Sequence, residues 1–320
     1  MASSSFDITA RYYNALNTVV HSGYANLLPD VNRVLDVLII ISITLTALLV
    51  WTSDEGYILK PVLKSILTIG FFVYLVENWE YLTQTLMSGF FYLGRKAGGA
   101  GMDGDIANYP ARVMGQGYDL SMSLFKETAK HVGFKAIFDF FPVIFIYLIC
   151  LAVVVFCFAW FAIEVFLTIV EYKFIAIVGF ILVPLNVWKG TETFGGGILR
   201  YIIGAGVKVM TITMIVALTS KIVPQIIAQS QDSFSPLTAY SVMFSALVTL
   251  VLALKIPNLA QAAVSGQSVM SAGAAVSSMV GAATGAAAGV GAGLKAAQAF
   301  KAMQAAKNYD SASNPPDNRA

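Results

Sequence analysis

Charged residues are scarce in this sequence, and their scarcity excludes an ordinary water-soluble fold. Asp, Glu, Lys and Arg make up 12% of the 320 residues, whereas hydrophobic residues make up 57%. Soluble domains typically contain about 25% charged residues. The net charge of +2 is also too small to indicate a general nucleic-acid-binding surface. The composition leaves room for several membrane spans and for modest loops only.

Cysteine and histidine are nearly absent, which argues against a metal site or a catalytic site. Cys150 and Cys157 lie seven residues apart in one apolar run, so a helix would hold their Cα atoms about 10 Å apart, too far for a disulfide. His21 and His131 are not adjacent in sequence to a cysteine or to a pair of acids. We therefore predict no enzyme activity, no catalytic residue, no cofactor and no metal.

The amino terminus lacks the apolar stretch of a signal peptide. A few apolar residues do recur at helical spacing, namely Tyr12, Leu16, Val19 and Val20. This spacing predicts a short helix that lies at the membrane interface.

Long apolar runs dominate the rest of the chain, above all residues 138–188. The charged residues of this run are Asp139, Glu164, Glu171 and Lys173. Neither glycine nor proline occurs between Pro142 and Gly179, yet a single helix over that distance would measure about 57 Å, against a hydrocarbon core of about 30 Å. We favour two spans joined near residues 164–173. The alternative is one long helix that Gly179 and Pro184 end.

Four further apolar segments have the length of a membrane helix: residues 34–51, 61–76, 201–227 and 236–256. The second could continue as an amphipathic piece that ends near Gly94. The sequence predicts an all-α polytopic membrane protein with about six transmembrane helices, or five if the central pair is one helix. The predicted divisions are 1–33 (interfacial segment), 34–94 (two spans), 95–139 (extramembrane loop), 140–258 (membrane core) and 259–320 (tail).

The tail is rich in Ala, Gly and Ser and ends in a polar stretch that we expect to be disordered. Gly281, Gly285, Gly289 and Gly293 recur at every fourth residue. This spacing would place them on one face of a helix and permit close helix packing. A flexible linker is the equally favoured alternative, because glycine weakens a helix.

Ionisable residues inside apolar segments are the candidate functional residues, because a charge in a membrane span is costly and needs a partner or a water path. Lys208 is the deepest, about 10 Å beyond Tyr201, and could line a pore, pair with another helix or extend to the interface. For the other four, a position near the interface is favoured: Asp36, Glu164, Glu171 and Lys173.

Two stretches resemble the TrbL-type proteins of conjugation systems, within the TrbL/VirB6 family. They are FIAIVGFILVPLNVWKGTETFGGGILRYIIGAGVKVMTITMIVAL, residues 174–218, and LKIPNLAQAAVSGQS, residues 254–268, which runs into the small-residue tail. The positions that fall in the matching stretches are Gly204, Gly206, Lys208, Pro257 and Gly266. Their implied roles are helix packing for the first two, a polar pore or partner contact for Lys208, a helix end for Pro257 and a turn for Gly266.

The resemblance implies a structural channel or platform subunit of a type IV secretion apparatus in the bacterial inner membrane. Such a subunit would support transfer of DNA and protein and assembly of a pilus. The implied partners are the lipid bilayer, periplasmic stalk or pilus proteins, an inner-membrane scaffold, cytoplasmic ATPases, further copies in a homo-oligomeric ring and, transiently, the transferred DNA. A self-contained transporter or ion channel for a small solute is the alternative, although the membrane charges look scattered rather than matched.

The orientation has two open answers. With six spans, most basic residues fall in segments on one side, and the positive-inside rule places both termini and the large loop in the cytoplasm. The family resemblance instead implies a periplasmic amino terminus.

Overall fold

The computed structural model of the chain describes residues 7–52, 59–99, 105–130, 141–230 and 235–265, and their secondary structure is helical. Two 3-10 turns, Ile106–Asn108 and Val183–Val187, accompany the α-helices. We number the α-helices α1 (Asp7–Thr52), α2 (Leu59–Glu77), α3 (Trp79–Ala97), α4 (Tyr109–Lys130), α5 (Phe141–Leu182), α6 (Glu192–Gly195), α7 (Ile198–Ser230) and α8 (Pro236–Ser265). The predicted all-α class is confirmed for these residues.

The central apolar run forms one uninterrupted helix, α5, of 42 residues. Our preference for two spans joined near residues 164–173 is therefore wrong. The alternative of one helix is correct, except that Gly179 lies inside the helix and does not end it. The charged residues that suggested a turn are Glu164, Glu171 and Lys173. Glu171 and Lys173 bond to side chains of neighbouring helices instead. The helix ends at Leu182, where Pro184 enters the following 3-10 turn and lacks the N–H that would continue the helix.

Four of the described helices are long and apolar enough to cross a membrane: α1, α5, α7 and α8. A fifth crossing results if α2 and α3 together form one broken span. Five is the lower of the two predicted counts, and six required the division of α5.

Helices α2 and α3 meet at Asn78 with a bend of 74°. The Asn78 side chain donates to the Tyr74 carbonyl oxygen at 3.0 Å, so it bonds to α2 across the break. The next residue, Trp79, is buried and donates its ring N–H to the Ala176 carbonyl oxygen of α5 at 2.8 Å. The predicted amphipathic continuation is α3, which extends three residues past Gly94 and points in a new direction.

Helix α1 is a single helix of 46 residues, so the predicted division at residue 33 falls within it. Tyr12 and Val19 of the expected apolar face are each 67% exposed. Val20 of that set is buried, and Leu16 is partly buried against the core. The buried face continues from Val20 with residues spaced by three, four or seven, as a helix requires: Tyr24, Val31, Leu35 and Leu38. Tyr24 makes an edge-to-face contact with Phe180 of α5, with ring centroids 5.4 Å apart.

Helix α7 is the most enclosed of the long apolar helices, with 72% of its most apolar stretch buried. It runs antiparallel to α5. Ile202 of α7 lies beside Gly179 of α5, whereas Lys208, which comes later in α7, lies beside Glu171, which comes earlier in α5. Helix α3 runs parallel to α7, with Phe90 against Gly206 and Gly94 against Met210. The core of the described fold is thus built around α5 and α7.

Part of the predicted extramembrane loop 95–139 is the helix α4, which packs along α5. Gly117 of α4 faces the Phe158 side chain so closely that a Cβ there would overlap it. Val113, Leu120 and Leu124 are buried on the same helix. Residues 100–104 and 131–140 of this loop lie outside the described part of the chain.

Helix α8 continues through Pro257 to Ser265. The predicted helix end at Pro257 is therefore wrong. Membrane helices tolerate an internal proline more readily than soluble ones. The Asn258 side chain donates to the Leu254 carbonyl oxygen at 2.8 Å, in the turn before Pro257. Pro257 is itself buried. Gly266 and the tail glycines Gly281, Gly285, Gly289 and Gly293 lie outside the described residues.

Candidate functional site

The central feature of the site is an ion pair between α5 and α7. Lys208 Nζ lies 2.5 Å from Glu171 Oε2. The Lys208 side chain is only 10% exposed, so its ammonium lies among the helices, while the Glu171 side chain is 35% exposed. A buried lysine needs such a carboxylate, because an unpaired charge of this kind is strongly destabilising. The functional role of either residue stays a prediction.

A second carboxylate lies near this pair. Glu164 precedes Glu171 by seven residues, two turns on the same face of α5. It is half-buried and interacts electrostatically with both Lys208 and Glu171. Two carboxylates and one ammonium therefore share this part of the core. The interpretation that the membrane charges are scattered is wrong for these three residues.

Lys173 connects α5 to the amino-terminal part of α1. Its Nζ donates to Asn17 Oδ1 at 2.7 Å and lies 5.0 Å from the ring centroid of Tyr13. The residue is buried, with 7% exposure. Asp36, in contrast, is exposed on α1. Of the five predicted ionisable residues, the structure thus brings together Glu164, Glu171 and Lys208, and it places Lys173 and Asp36 elsewhere.

His21 and Glu80 form a contact that the sequence did not indicate. His21 Nδ1 lies 2.7 Å from Glu80 Oε1, which joins α1 to α3 across 59 residues of sequence. The His21 side chain is 72% exposed and the Glu80 side chain 28% exposed. Among the described residues, no group of three or more His, Cys, Asp or Glu side chains could hold a metal ion. The contact adds to the attachment of α1.

Glycines set the spacing between the helices around the ion pair. Gly206 receives the Phe90 ring from α3, and Gly204 faces Gln261 and Ser265 of α8. Both lie within one turn of Lys208. Their role in helix packing is the one that the family resemblance implied, and these contacts support it as a proposal.

Two further packing glycines, Gly94 and Gly98, are missing from the sequence predictions. A Cβ on Gly94 would overlap the Met210 backbone, and one on Gly98 would overlap the Ala217 side chain. The two residues are four apart, one in α3 and one directly after it, the spacing at which small residues let helices approach closely. The same spacing in the tail was recognised, so this pair could have been found from sequence.

The arrangement holds charges in a core of packed helices and offers a polar connection between α5 and α7. It can fix the register of two membrane helices, and the spare carboxylate gives the core a site where a proton or cation could be held. These chemical capacities suit a membrane scaffold or a conducting subunit.

Comparison with known proteins gives the family. The model of the TrbL/VirB6 plasmid conjugal transfer protein matches residues 39–259, well over half of the chain. No curated protein sequence matches the chain. The matched region includes α2 to α7, most of α8 and the last part of α1, from residue 39 onwards. The chain is therefore a member of the TrbL/VirB6 family, a structural component of a conjugal transfer system rather than a member of a known enzyme family, and its apolar helices make it a membrane protein.

Proposed function

We propose that this protein is a channel or platform subunit of a type IV secretion apparatus in the bacterial inner membrane. The observation that carries the proposal is the family match over residues 39–259, which contains the ion pair and the contact of Gly206 with Phe90. The proposed role is structural: the subunit supports passage of DNA and protein and assembly of a pilus, and it catalyses no reaction.

The helix packing supports this role because it divides the molecule into a rigid core and an outer surface. The core is α7 with the facing sides of α3, α5 and α8, held by close glycine contacts and the Lys208–Glu171 pair. The outer surface is apolar and includes most of α1. Only 11% of the most apolar stretch of α1 is buried. Such a surface suits lipid and neighbouring subunits.

The proposed partners follow from this role. They are further copies of the chain in a homo-oligomeric ring, periplasmic stalk or pilus proteins, an inner-membrane scaffold and cytoplasmic ATPases. Contact with the transferred DNA would be transient. We infer these partners from the family membership of the chain.

Gene deletion tests the proposal most directly. A donor that lacks the gene is expected to lose conjugative transfer, and the intact chain supplied in trans is expected to restore it. Protein in the inner-membrane fraction is measured in parallel by cell fractionation. Unchanged transfer from the deleted donor, with no second copy of the gene present, would contradict the proposal.

A single substitution then tests the ion pair within the apparatus. Lys208→Leu removes the buried ammonium and leaves Glu171 and Glu164 without it, so we expect transfer to fall while the amount in the membrane is unchanged. Lys189→Leu is the control, because Lys189 is exposed outside α7. Normal transfer with the stably inserted Lys208 variant would exclude a functional role for that lysine.

A self-contained transporter or ion channel remains the second proposal, and one observation favours it. The grouping of Glu164, Glu171 and Lys208 is of the kind that transporters place at the middle of the membrane. The purified chain in sealed vesicles would then conduct protons or small cations by itself, and Glu164→Gln would reduce that flux. If the vesicles conduct neither protons nor small cations, and the deleted donor loses conjugation, this second role is excluded.

A further inference from the structure

The carboxyl end of α3 carries positive charge on a partly apolar surface. Arg95 and Lys96 lie in its last turn, and each positions its charged group 5.9 Å from the ring centroid of Tyr92. The Tyr92 ring therefore lies near two cations. It is nonetheless 52% exposed, so both cations lie close to the surface.

A third cation comes from α7. Lys221 is exposed, and its Nζ lies against Gly99, just beyond the end of α3. Gly99 has a positive φ of 64°, a conformation that favours glycine. Because a side chain at that position would meet the ammonium, the glycine is what lets Lys221 approach the end of α3.

A fourth cation lies at the start of α4. The Arg112 guanidinium lies 5.5 Å from the ring centroid of Tyr109. Both Arg112 and Arg95 act electrostatically on the Tyr109 hydroxyl and partly offset the rise of its pKa that burial causes. We call Arg95, Lys96, Arg112 and Lys221 the basic surface.

The Tyr109 hydroxyl lacks a hydrogen-bond partner among the described residues, although the residue is only 1% exposed. A buried polar group without a partner is uncommon and calls for an explanation. Here the orphaned O–H belongs to a ring that the Arg112 guanidinium faces, and the charge of Arg95 also acts on it. An unpartnered donor that is close to positive charge favours an anion as its missing partner.

Within the described part of the chain, no carboxylate forms an ion pair with Arg95, Lys96 or Lys221. Asp105 is the nearest described acid in sequence to Tyr109, and it acts on Tyr13 and Lys173 instead. Helix polarity explains part of the arrangement, because cations in the last turn of a helix interact favourably with its carboxyl end. It does not explain the unpartnered hydroxyl of Tyr109.

We propose that the basic surface binds the phosphate of an anionic phospholipid headgroup. Basic clusters beside membrane helices recognise such headgroups. Exposed apolar side chains adjoin the cations on both helices, with Leu93 50% exposed on α3 and Leu218 44% exposed on α7. They provide a surface for acyl chains next to the charges. The proposal requires that the protein lie in a membrane, and it does not depend on a role in a secretion channel.

DNA is the competing polyanion, and the surroundings of the basic surface disfavour it. Binding to DNA depends on neutralising many phosphates, and four cations beside exposed leucines offer a small, partly apolar contact. Single-stranded DNA binding proteins line longer grooves with stacking aromatic residues. A phospholipid uses the cations and the apolar flank together.

Native mass spectrometry of the full chain in detergent would measure the site. The chain is titrated with phosphatidylglycerol and, separately, with phosphatidylcholine, and the dissociation constant of the first bound lipid is determined. Arg95→Gln with Lys96→Gln is expected to weaken phosphatidylglycerol binding about thirtyfold and to leave phosphatidylcholine binding unchanged. The control is Lys189→Gln with Arg200→Gln, which removes one lysine and one arginine that are exposed elsewhere.

Two more variants separate charge from folding. Arg95→Lys with Lys96→Arg keeps both charges and is expected to retain most of the affinity, and Lys221→Gln changes an exposed side chain only and is expected to weaken binding about fivefold. If the double glutamine variant does not fold, Lys221→Gln decides the question. Equal affinity of wild type and the folded glutamine variants for phosphatidylglycerol would overturn the proposal.

Two competitors identify the source of the phosphate. Inorganic phosphate at matched ionic strength is expected to displace the lipid only at far higher concentrations than the lipid itself requires. Displacement at comparable concentrations would overturn the lipid assignment in favour of a soluble phosphate. Tighter binding of a short oligothymidylate than of phosphatidylglycerol, lost in the Arg95 and Lys96 variant, would overturn it in favour of DNA.

Discussion

Helices α1 and α7 are both long and apolar, yet α7 is mostly buried and α1 is mostly exposed. Of the most apolar stretch of α7, 72% is buried, against 11% for α1. Helix α7 carries buried polar side chains in addition to Lys208, namely Thr211, Thr213 and Thr219. Hydrophobicity alone therefore does not decide which helix becomes the core. In a membrane, lipid tails are as apolar as leucine, and helices associate through close packing and polar contacts.

The hydroxyls of these threonines show how α7 carries polar groups inside the core. Each of the three donates to the carbonyl oxygen four residues earlier, at 2.7 or 2.8 Å. Thr44 of α1 forms the same bond at 2.8 Å. Local hydrogen bonding thus makes threonine acceptable in both helices, and the contrast between them comes from glycine contacts and the ion pair.

The largest expected effect tests the contrast itself. Ile212 of α7 is 1% exposed and Ile40 of α1 is 65% exposed. Ile212→Ala should lower the free energy of unfolding by about 2–5 kcal/mol because it opens a cavity, whereas Ile40→Ala should change it by less than about 0.5 kcal/mol. Denaturant titration in detergent micelles measures both. Equal losses would show that α1 is packed as tightly as α7.

The ion pair should give the next largest effect. Lys208→Met leaves Glu171 without its partner and should cost about 3 kcal/mol, the lower end for a buried pair, because Glu171 is partly exposed. Lys208→Met combined with Glu171→Leu should recover most of that loss. The double-mutant cycle is measured in the same unfolding assay. Additive losses would mean that the two side chains do not stabilise each other.

The glycine contact between α3 and α7 comes third. Gly94→Ala places a Cβ against the Met210 backbone and should cost about 2 kcal/mol. Gly89→Ala is the matched control on the same helix, since open space surrounds its Cβ position, and it should be neutral or should stabilise by up to about 1 kcal/mol. A neutral Gly94→Ala would place α3 farther from α7 than described.

The attachment of α1 should give the smallest effect. Asn17→Ala removes the acceptor of the Lys173 hydrogen bond and should cost about 1–2 kcal/mol, because a buried ammonium loses one of its partners and keeps the Tyr13 ring. Asn14→Ala serves as the control, because the one bond described for Asn14 uses its backbone carbonyl. Limited proteolysis of α1 would report the loosening directly. No change in either measurement would exclude a role for this contact in holding α1.

The sequence predicted the long apolar helices well, because their existence depends on local composition. Helices α7 and α8 begin within about three residues of the predicted spans. The length rule failed for α5, because a helix can exceed the bilayer thickness when neighbouring helices cover its charged residues. The expectation that proline ends a helix failed at Pro257, which lies inside α8.

The site was harder to predict, because its contacts join distant parts of the chain. Lys208 and Glu171 are 37 residues apart, and Lys173 and Asn17 are 156 apart. Depth in an apolar segment identified Lys208 as unusual but could not name its partner. Only the Gly94 and Gly98 pair had a local pattern that would have sufficed.

The length of α5 has a mechanical consequence. At 42 residues it is about 63 Å long, roughly twice the hydrocarbon thickness of a bilayer. Its helical hydrogen bonding continues without a break from Phe141 to Leu182, so the helix acts as a stiff lever. A tilt of about 5° at one end would displace the other end by about 5 Å, as the same rise per residue dictates. A small rotation that a bound subunit imposes on one end of α5 would therefore produce a larger displacement at the other end.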